Sequence, residues 1–285
     1  MKNQYSHLFC LAIGLTLPVA ISNRASSATA YNNAVLADNP AYYWTFDEAG
    51  VVNAVDQVQG LAADDFVPGG NSTKVASTTN GGGVSLGQAP QIVGTGGFTW
   101  NVADLSGGGL TGAWAYEFWA SADDVTSFEY MIGSANGGSF NDETILKWGP
   151  GGVPAGIQLY NGGGVINPVP MTVGWHHYVF VSDGAGPNYD LYVDGAFAGS
   201  LANAQSTNHG PHHEVSLKLG GHNDGANGET FDGLLDELAI YDLSGAGDLS
   251  AAGQSIADHF NVPEPSSLAL LGLGGLLILR RRRSV

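Results

Sequence analysis

The chain has 285 residues, of which 43 are glycine, 9 are basic and 26 are acidic, giving a formal charge of −17. Glycine stands at about twice its usual ~7% share without the three-residue period of collagen, and 44% hydrophobic with 10% aromatic content suffices for a core rather than a disordered chain. The charge repels phosphates and so excludes a nucleic-acid binder, and a single cysteine excludes a disulfide scaffold.

Residues 1–30 predict a secretory signal peptide. Lys2 gives a short basic start, Leu8 to Ile21 is almost continuously apolar, and Ala28-Thr29-Ala30 places small residues at the −3 and −1 positions of a cleavage site. Tyr31 is then the mature start. The apolar run has 14 residues and contains Pro18, which falls short of the ~20 needed to span a bilayer. Cys10 departs with this leader.

From residue 31 to about 261 the pattern is one of strands. Asn32 to Ala37 is expected to form a turn or two of helix. Ala113 to Trp119 puts Trp114, Tyr116 and Phe118 on one face. Trp175 to Ser182 has apolar or aromatic residues on both alternating faces, so it is expected to be covered on both sides, with one of His176 and His177 buried and hydrogen-bonded. Tyr189 to Ser200 reads as a hairpin around Asp194-Gly195, a pair that tolerates positive φ and suits a type I′ turn. Val215 to Leu219 alternates, with Ser216 and Lys218 facing the other way. Leu234 to Tyr241 sets Leu234, Asp236, Leu238 and Ile240 on one side and Leu235, Glu237, Ala239 and Tyr241 on the other. Leu249 to Phe260 predicts a short terminal helix. Glycine clusters at Gly81–Gly83, Gly107–Gly109, Gly151–Gly152 and Gly162–Gly164 separate these runs as turns, and none has the lysine and helix of a Walker loop. Ten or more short strands between turns predict an all-β fold, an antiparallel β-sandwich over residues 31–261.

The tail, residues 262–285, has three parts in order. Pro263-Glu264-Pro265 is followed by apolar Leu268 to Leu279 and then by Arg280, Arg281, Arg282 and Arg283. The arginines keep the far end of a short hydrophobic helix cytoplasmic, so everything before it lies on the outer side of the inner membrane. An ordinary tail anchor is the alternative, but the segment is short for a permanent span. The arrangement resembles the PEP-CTERM sorting signal of Gram-negative bacteria. That resemblance implies transient insertion in the inner membrane, processing by the membrane protease exosortase, and a cell-envelope or extracellular-matrix location.

The body of the chain also carries a resemblance. Tyr31 to Asp38 with Ala41 to Glu48, then Trp175 to Val179 with Leu191 to Gly195, then Phe231 to Tyr241 are similar to the opening, central and closing blocks of a LamG-like jelly roll. This implies the concanavalin A-like lectin/glucanase fold. The segment from about Asp56 to Leu110 matches that pattern least.

A glycoside hydrolase needs two carboxylates at a defined separation, and the Glu-x-Asp-x-x-Glu strand pattern of the laminarinase-like enzymes sharing this fold is absent. No Gly-x-Ser-x-Gly elbow is present either. His209, His212, His213 and His222 lack the tight spacing of a zinc site. Calcium takes carboxylates and carbonyls from loops, and the resemblance implies an ion where the first loop meets the final strand. The candidates there are Asp56 and Asp236, with Glu48 and Glu237 as substitutes. A second, local candidate is Asp224, Asn227 and Glu229. Trp100, Trp119, Trp148 and Tyr160 are candidates for stacking on sugar rings, against the usual fate of tryptophan as core packing.

The expectation is a non-catalytic envelope protein whose domain binds carbohydrate or another matrix component. A structural or adhesive surface protein without sugar specificity is the alternative, and a polysaccharide-active hydrolase is a third. Trimming both sorting segments leaves Lys74, Lys147 and Lys218 against 25 acids, a formal −22. That surface favours a neutral polysaccharide, or a contact bridged by calcium.

Overall fold

The computed structural model describes residues 23–69, 73–77, 86–92, 100–102, 110, 112–126, 129–134, 144–148, 156–160, 169–184, 188–202, 217–220 and 230–262. In chain order these form α1 (Asn23–Ala37), β1 (Tyr42–Trp44), β2 (Val67–Pro68), β3 (Thr73–Ser77), β4 (Gly87–Ile92), β5 (Trp100–Val102), β6 (Trp114–Ala122), β7 (Glu129–Ser134) and β8 (Thr144–Trp148). They continue as β9 (Gly156–Tyr160), β10 (Val169–Pro170), β11 (Gly174–Ser182), β12 (Asn188–Val193), β13 (Ala196–Ala202), β14 (Leu217–Leu219), β15 (Gly233–Asp242) and α2 (Leu249–Ala257), which runs into a 3-10 turn at Asp258–Asn261.

The long aromatic strands β6, β11 and β15 form the middle of an eight-stranded sheet in the order β13-β12-β11-β6-β15-β4-β3, with β1 on the free part of β15. A seven-stranded sheet in the order β10-β9-β8-β7-β14-β5-β2 faces it. Every ladder within the two sheets is antiparallel. The fold is the expected antiparallel β-sandwich of jelly-roll type.

Alternation on β6 sends Trp114, Tyr116 and Phe118 into the space between the sheets, as the sequence predicts. There they meet Tyr178, Phe180, Leu191, Leu217 and Leu219. Phe118 is fully buried and stacks on Phe180 with ring centroids 6.3 Å apart. Replacing it with alanine would cost about 3–5 kcal/mol. The hairpin joining β12 and β13 turns at Asp194 (φ 50°) and Gly195 (φ 79°), both in the left-handed region that a type I′ turn requires.

β11 is indeed covered on both sides. The outer face of the eight-stranded sheet carries a second buried layer, in which Val179, Val181, Trp119, Tyr192 and Tyr241 pack under Tyr31 and Val35 of α1 and Ile256 and Ala257 of α2. α1 is longer than the predicted turn or two, and it runs back through the expected cleavage point at Ala28 and Ala30. Tyr31, the expected mature start, is fully buried.

The facing of β15 departs from strict alternation. Asp236 pairs with Trp119 and Ala239 with Glu117, so two residues, Glu237 and Leu238, oppose the single Phe118. This is a β-bulge, with Glu237 at φ 53°. It switches the parity of the strand: Leu235, rather than Leu234, joins Leu238 and Ile240 in the main core. Among the described residues no helix is long and apolar enough to cross a membrane.

Candidate functional site

Alternation that buries Phe118 on one side of β6 points Glu117 and Trp119 to the other, under the helices. Glu117 has no exposure, and its carboxylate is the acceptor for four side chains from four separate elements. Tyr31 Oη of α1 donates to Oε1 at 2.7 Å, and His177 Nε2 of β11 lies 2.8 Å from the same oxygen. His259 Nδ1, in the turn after α2, sits 3.0 and 3.1 Å from the two oxygens. The Tyr241 hydroxyl of β15 donates to Oε2. Burial pushes the Glu117 carboxyl up, but the charge of His259 and the bonds from both histidines outweigh it and hold the group well below the usual carboxylate range. Burial lowers His259, and the charge of Glu117, its hydrogen bond and Asp38 reverse that, so the net shift is upward. His259 Nε2 also lies 3.4 Å from Asp38, in the turn just after α1. This hub is a tie between both ends of the domain, sealed from solvent.

A second group of carboxylates surrounds the start of β15. Asp236 is fully buried; its Oδ1 accepts the Glu237 backbone N–H at 3.0 Å, while Oδ2 has no hydrogen-bond partner. Burial, then the charges of Glu237 and Asp47, drive its carboxyl well above the usual range. Glu237, also buried, accepts from the Tyr43 hydroxyl and is likewise pushed up by desolvation. Asp47 accepts the Gln88 N–H at 2.8 Å. It reaches that amide because residue 87 is glycine: an added Cβ there would fall 1.8 Å from Asp47 Oδ1. Glu48 pairs with Lys74 at 3.1 Å and accepts the Val55 N–H at 2.8 Å.

The predicted pairing of Asp56 with Asp236 does not form. β1 lies between them, with Trp44 paired to Leu238 of β15 on one side and bridged to Asp56 on the other. Asp56 is instead the buried pin of its own loop. Its carboxylate accepts the backbone N–H groups of Tyr43 (2.8 Å), Gln59 (2.7 Å) and Val58 (3.3 Å). Among the described residues no three histidine, cysteine or acidic side chains converge as a metal-holding group. The carboxylate oxygen left without a partner is Asp236 Oδ2, and the charge of Asp47 acts on it.

Trp119 is corrected as a sugar-stacking candidate. It is fully buried, with its ring against Phe260 at 5.7 Å and His177 at 4.9 Å, because the helices cover the face it occupies. Trp100, Trp148 and Tyr160 lie on β5, β8 and β9 of the other sheet, their side chains outside the described part. Trp148 pairs with Gly156 and Tyr160 with Thr144, so the latter two stand at opposite ends of one ladder. Asp224, Asn227 and Glu229, the loop histidines, Pro263, Glu264, Pro265 and Arg280 to Arg283 lie outside the described residues.

An open cleft of about 140 Å³ was not anticipated from the sequence. It lies where β11 ends and β12 begins, beneath the start of α2, and is lined by Val181, Ser182, Asp183, Tyr189, Asp190 and Leu249. Asp190 holds the Ser200 hydroxyl at 2.6 Å across the hairpin. Two carboxylates, a hydroxyl and apolar walls make it an acceptor-rich surface that suits hydroxyl donors and rejects anions.

A two-sheet antiparallel jelly roll with this strand order is a concanavalin A-like β-sandwich. The chain belongs to the concanavalin A-like lectin/glucanases superfamily, whose family model matches residues 93–244. Residues 261–283 match the PEP-CTERM protein-sorting motif, which marks the protein for export across the inner membrane and for processing by an exosortase. The family match starts after the opening block at Tyr31 to Glu48. β1 of that block nonetheless pairs with β15 in the same sheet.

No curated protein matches the chain. Among solved structures it is similar to domain 4 of AbnA, a GH43 extracellular arabinanase from Geobacillus stearothermophilus, in complex with arabinotriose. The two are 19% identical over 77% of this chain and 97% of that one, with a TM-score of 0.47. A heptameric SAP-like pentraxin from Limulus polyphemus is 15% identical over 59% and 80%, at 0.44. The receptor-binding domain of botulinum neurotoxin type G is 8% identical over 78% and 51%, at 0.46.

Proposed function

We propose that this is an exported envelope protein whose β-sandwich is a non-catalytic module binding a neutral glycan through the cleft at the end of β11. The observation that carries the reading is the chemistry of that cleft. Asp183 and Asp190 with Ser182 offer hydrogen-bond acceptors to sugar hydroxyls, and Val181 and Leu249 offer apolar surface to ring C–H groups. Its volume of about 140 Å³ is under half of the ~300 Å³ at the low end of small-molecule sites, so it takes one ring or a chain end rather than an enclosed oligosaccharide. The acids of the two buried clusters do not suit hydrolysis, because Glu117, Asp236 and Glu237 are sealed from any substrate.

The test is glycan-array binding by the exported protein, repeated with Asp183→Ala and Asp190→Ala together. Selective capture of an uncharged glycan, lost in the double variant, is the expected result. Absence of binding to every glycan, or equal binding by the variant, would remove the cleft reading in favour of a purely adhesive surface protein. Calcium belongs to the same proposal as a stabilising ion at Asp236 and Asp47. Bound there, it would neutralise carboxylates that are otherwise raised by burial and mutual repulsion.

A further inference from the structure

β13 is the edge strand beside β12, whose first residues line the cleft. Its side chains do not keep strict alternation. Leu191 of β12 pairs with Gly199, yet the next residue, Tyr192, pairs with Phe197, so Ala198 is an extra residue without a partner. Gly199 takes the kink at φ 154°, where a side chain would be strained. In an unbroken strand residues 197 and 200 would face opposite sides of the sheet. The bulge brings them to one side, because Phe197 stands opposite Tyr192 and Ser200 opposite Asp190, and those two share a face of β12. Tyr192 belongs to the buried layer under α2, so the shared side is the outer face of the sheet.

On that face Phe197 is 55% exposed. A single exposed phenylalanine is ordinary; what gives this one a use is its fixed orientation and its neighbours. Its ring meets Tyr192 in a T-shaped contact, with centroids 5.5 Å apart. Tyr192 is itself buried, and its hydroxyl donates to the Ser250 carbonyl at 3.1 Å in the first turn of α2. The residue before Ser250, Leu249, is a wall of the cleft. Phe197 is thus held against the same helix start that closes the cleft, with one side of its ring open to solvent.

Asp190 joins the two places. It lines the cleft, and it takes the exposed Ser200 hydroxyl at 2.6 Å. Having given its proton to Asp190, Ser200 Oγ offers a ligand lone pairs only. One same-face step along the strand, about 7 Å, separates this acceptor pair from the level of Phe197. An aromatic face one step from a pair of hydroxyl acceptors matches the two kinds of surface on a pyranose. The ring C–H groups carry slight positive charge and lie on the negative π-face, while the equatorial hydroxyls at the rim donate to the acceptors. A furanose has no such flat C–H face.

We propose that Phe197 is a stacking platform forming a second subsite beside the cleft, and that the glycan taken is a neutral chain of pyranoses with equatorial hydroxyls, gluco- or xylo-configured. One ring enters the cleft against Asp190 and Leu249, and the next lies on Phe197 with its hydroxyls toward Ser200. The inference rests on the glycan reading of the cleft, to which it adds the ring type and a residue outside the cleft. Uronic acid chains are rejected by the acidic domain.

The experiment titrates the exported protein calorimetrically with cellohexaose and xylohexaose, and with arabinofuranohexaose as the furanose control. The native protein should bind at least one pyranose hexamer and not the furanose. Phe197→Ala should weaken that binding about tenfold. Phe197→Leu keeps apolar area without a π-face and should fall with it, whereas Phe197→Trp should bind at least as tightly as the native protein. Melting temperatures close to the native one show that each variant is folded. Binding that is lost in Asp183→Ala with Asp190→Ala but unchanged in Phe197→Ala overturns the platform and leaves the cleft standing. Loss in Phe197→Ala with none in the double variant overturns the shared site. Equal affinity for the furanose hexamer, or no binding of either pyranose hexamer, overturns the ring type. No binding of these or of any arrayed glycan removes the cleft reading as well.

Discussion

Glu117 and Asp236 stand on neighbouring central strands and are equally inaccessible, yet their carboxyls are driven in opposite directions. Glu117 is surrounded by donors: two tyrosine hydroxyls and two imidazoles. Asp236 has one backbone N–H, an orphaned oxygen, and two other carboxylates beside it. Burial raises both; only the donor set decides which stays ionised. The first site is therefore complete in the polypeptide itself, whereas the second is complete only with an added proton or cation.

The largest expected effect breaks the first member of this pair. Glu117→Ala leaves four buried donors without their acceptor, and removing one partner of a buried ionic network costs about 3–5 kcal/mol. The check is the urea midpoint, with the slope unchanged if the native state stays compact. A loss below about 1 kcal/mol would mean that the donors had found other partners, and the hub would not be the tie between the chain ends. His259→Gln is the smaller cut, about 1.5–3 kcal/mol for a hydrogen bond to a charged group. Its pH dependence has a definite sign. A histidine raised above its ordinary 6.5 contributes stability that is fully present below that value and is lost as pH rises through the folded value. Glu117, lowered in the fold, contributes stability present above the ordinary 4.5 and lost only in strong acid. The native protein should therefore weaken through the alkaline limb, and His259→Gln should flatten that limb in melts run from pH 6 to 9.

How far the sequence revealed these two sites differs for a physical reason. Alternation on β6 and the Asp194-Gly195 turn were readable, because each is a local rule of side-chain facing or backbone φ. The sorting tail was readable as a linear motif. Glu117 carries no motif of its own, although it sits in an apolar run facing the way of Trp119 and the strand paired with it is expected to be covered on both sides. Together those two readings require a buried acid, and a buried acid needs partners. The partners come from residues 31, 177, 241 and 259, and only the tertiary fold brings them together. The bulge at Glu237 hid the facing of Leu235 for the same reason, since one extra residue shifts parity without a glycine or proline to mark it. Asp56 and Asp236 were matched by family resemblance, which gives strand order but not which side of β1 each carboxylate occupies.

The smallest effect is expected at the second site, and it sharpens the contrast most. A carboxyl whose folded pKa is raised keeps a proton that the unfolded chain loses. Its penalty therefore grows as pH rises from the ordinary 3.8 through the folded value. Asp236→Asn carries no charge to bury, so without a cation it should change stability by less than about 1 kcal/mol at pH 5 and be stabilising at pH 8. Calcium should reverse the ranking. The native protein should gain about 2.7 kcal/mol once calcium reaches a hundred times its Kd, while the variant, lacking the orphaned oxygen as a ligand, should not move. Thermal melts of both proteins in calcium and in chelator make the comparison. Equal calcium stabilisation of the two would place the ion elsewhere, and no stabilisation of either would leave a proton as the group that completes Asp236. Whichever ligand fills it, the asymmetry with Glu117 stands, because one carboxylate has its donors in the sequence and the other does not.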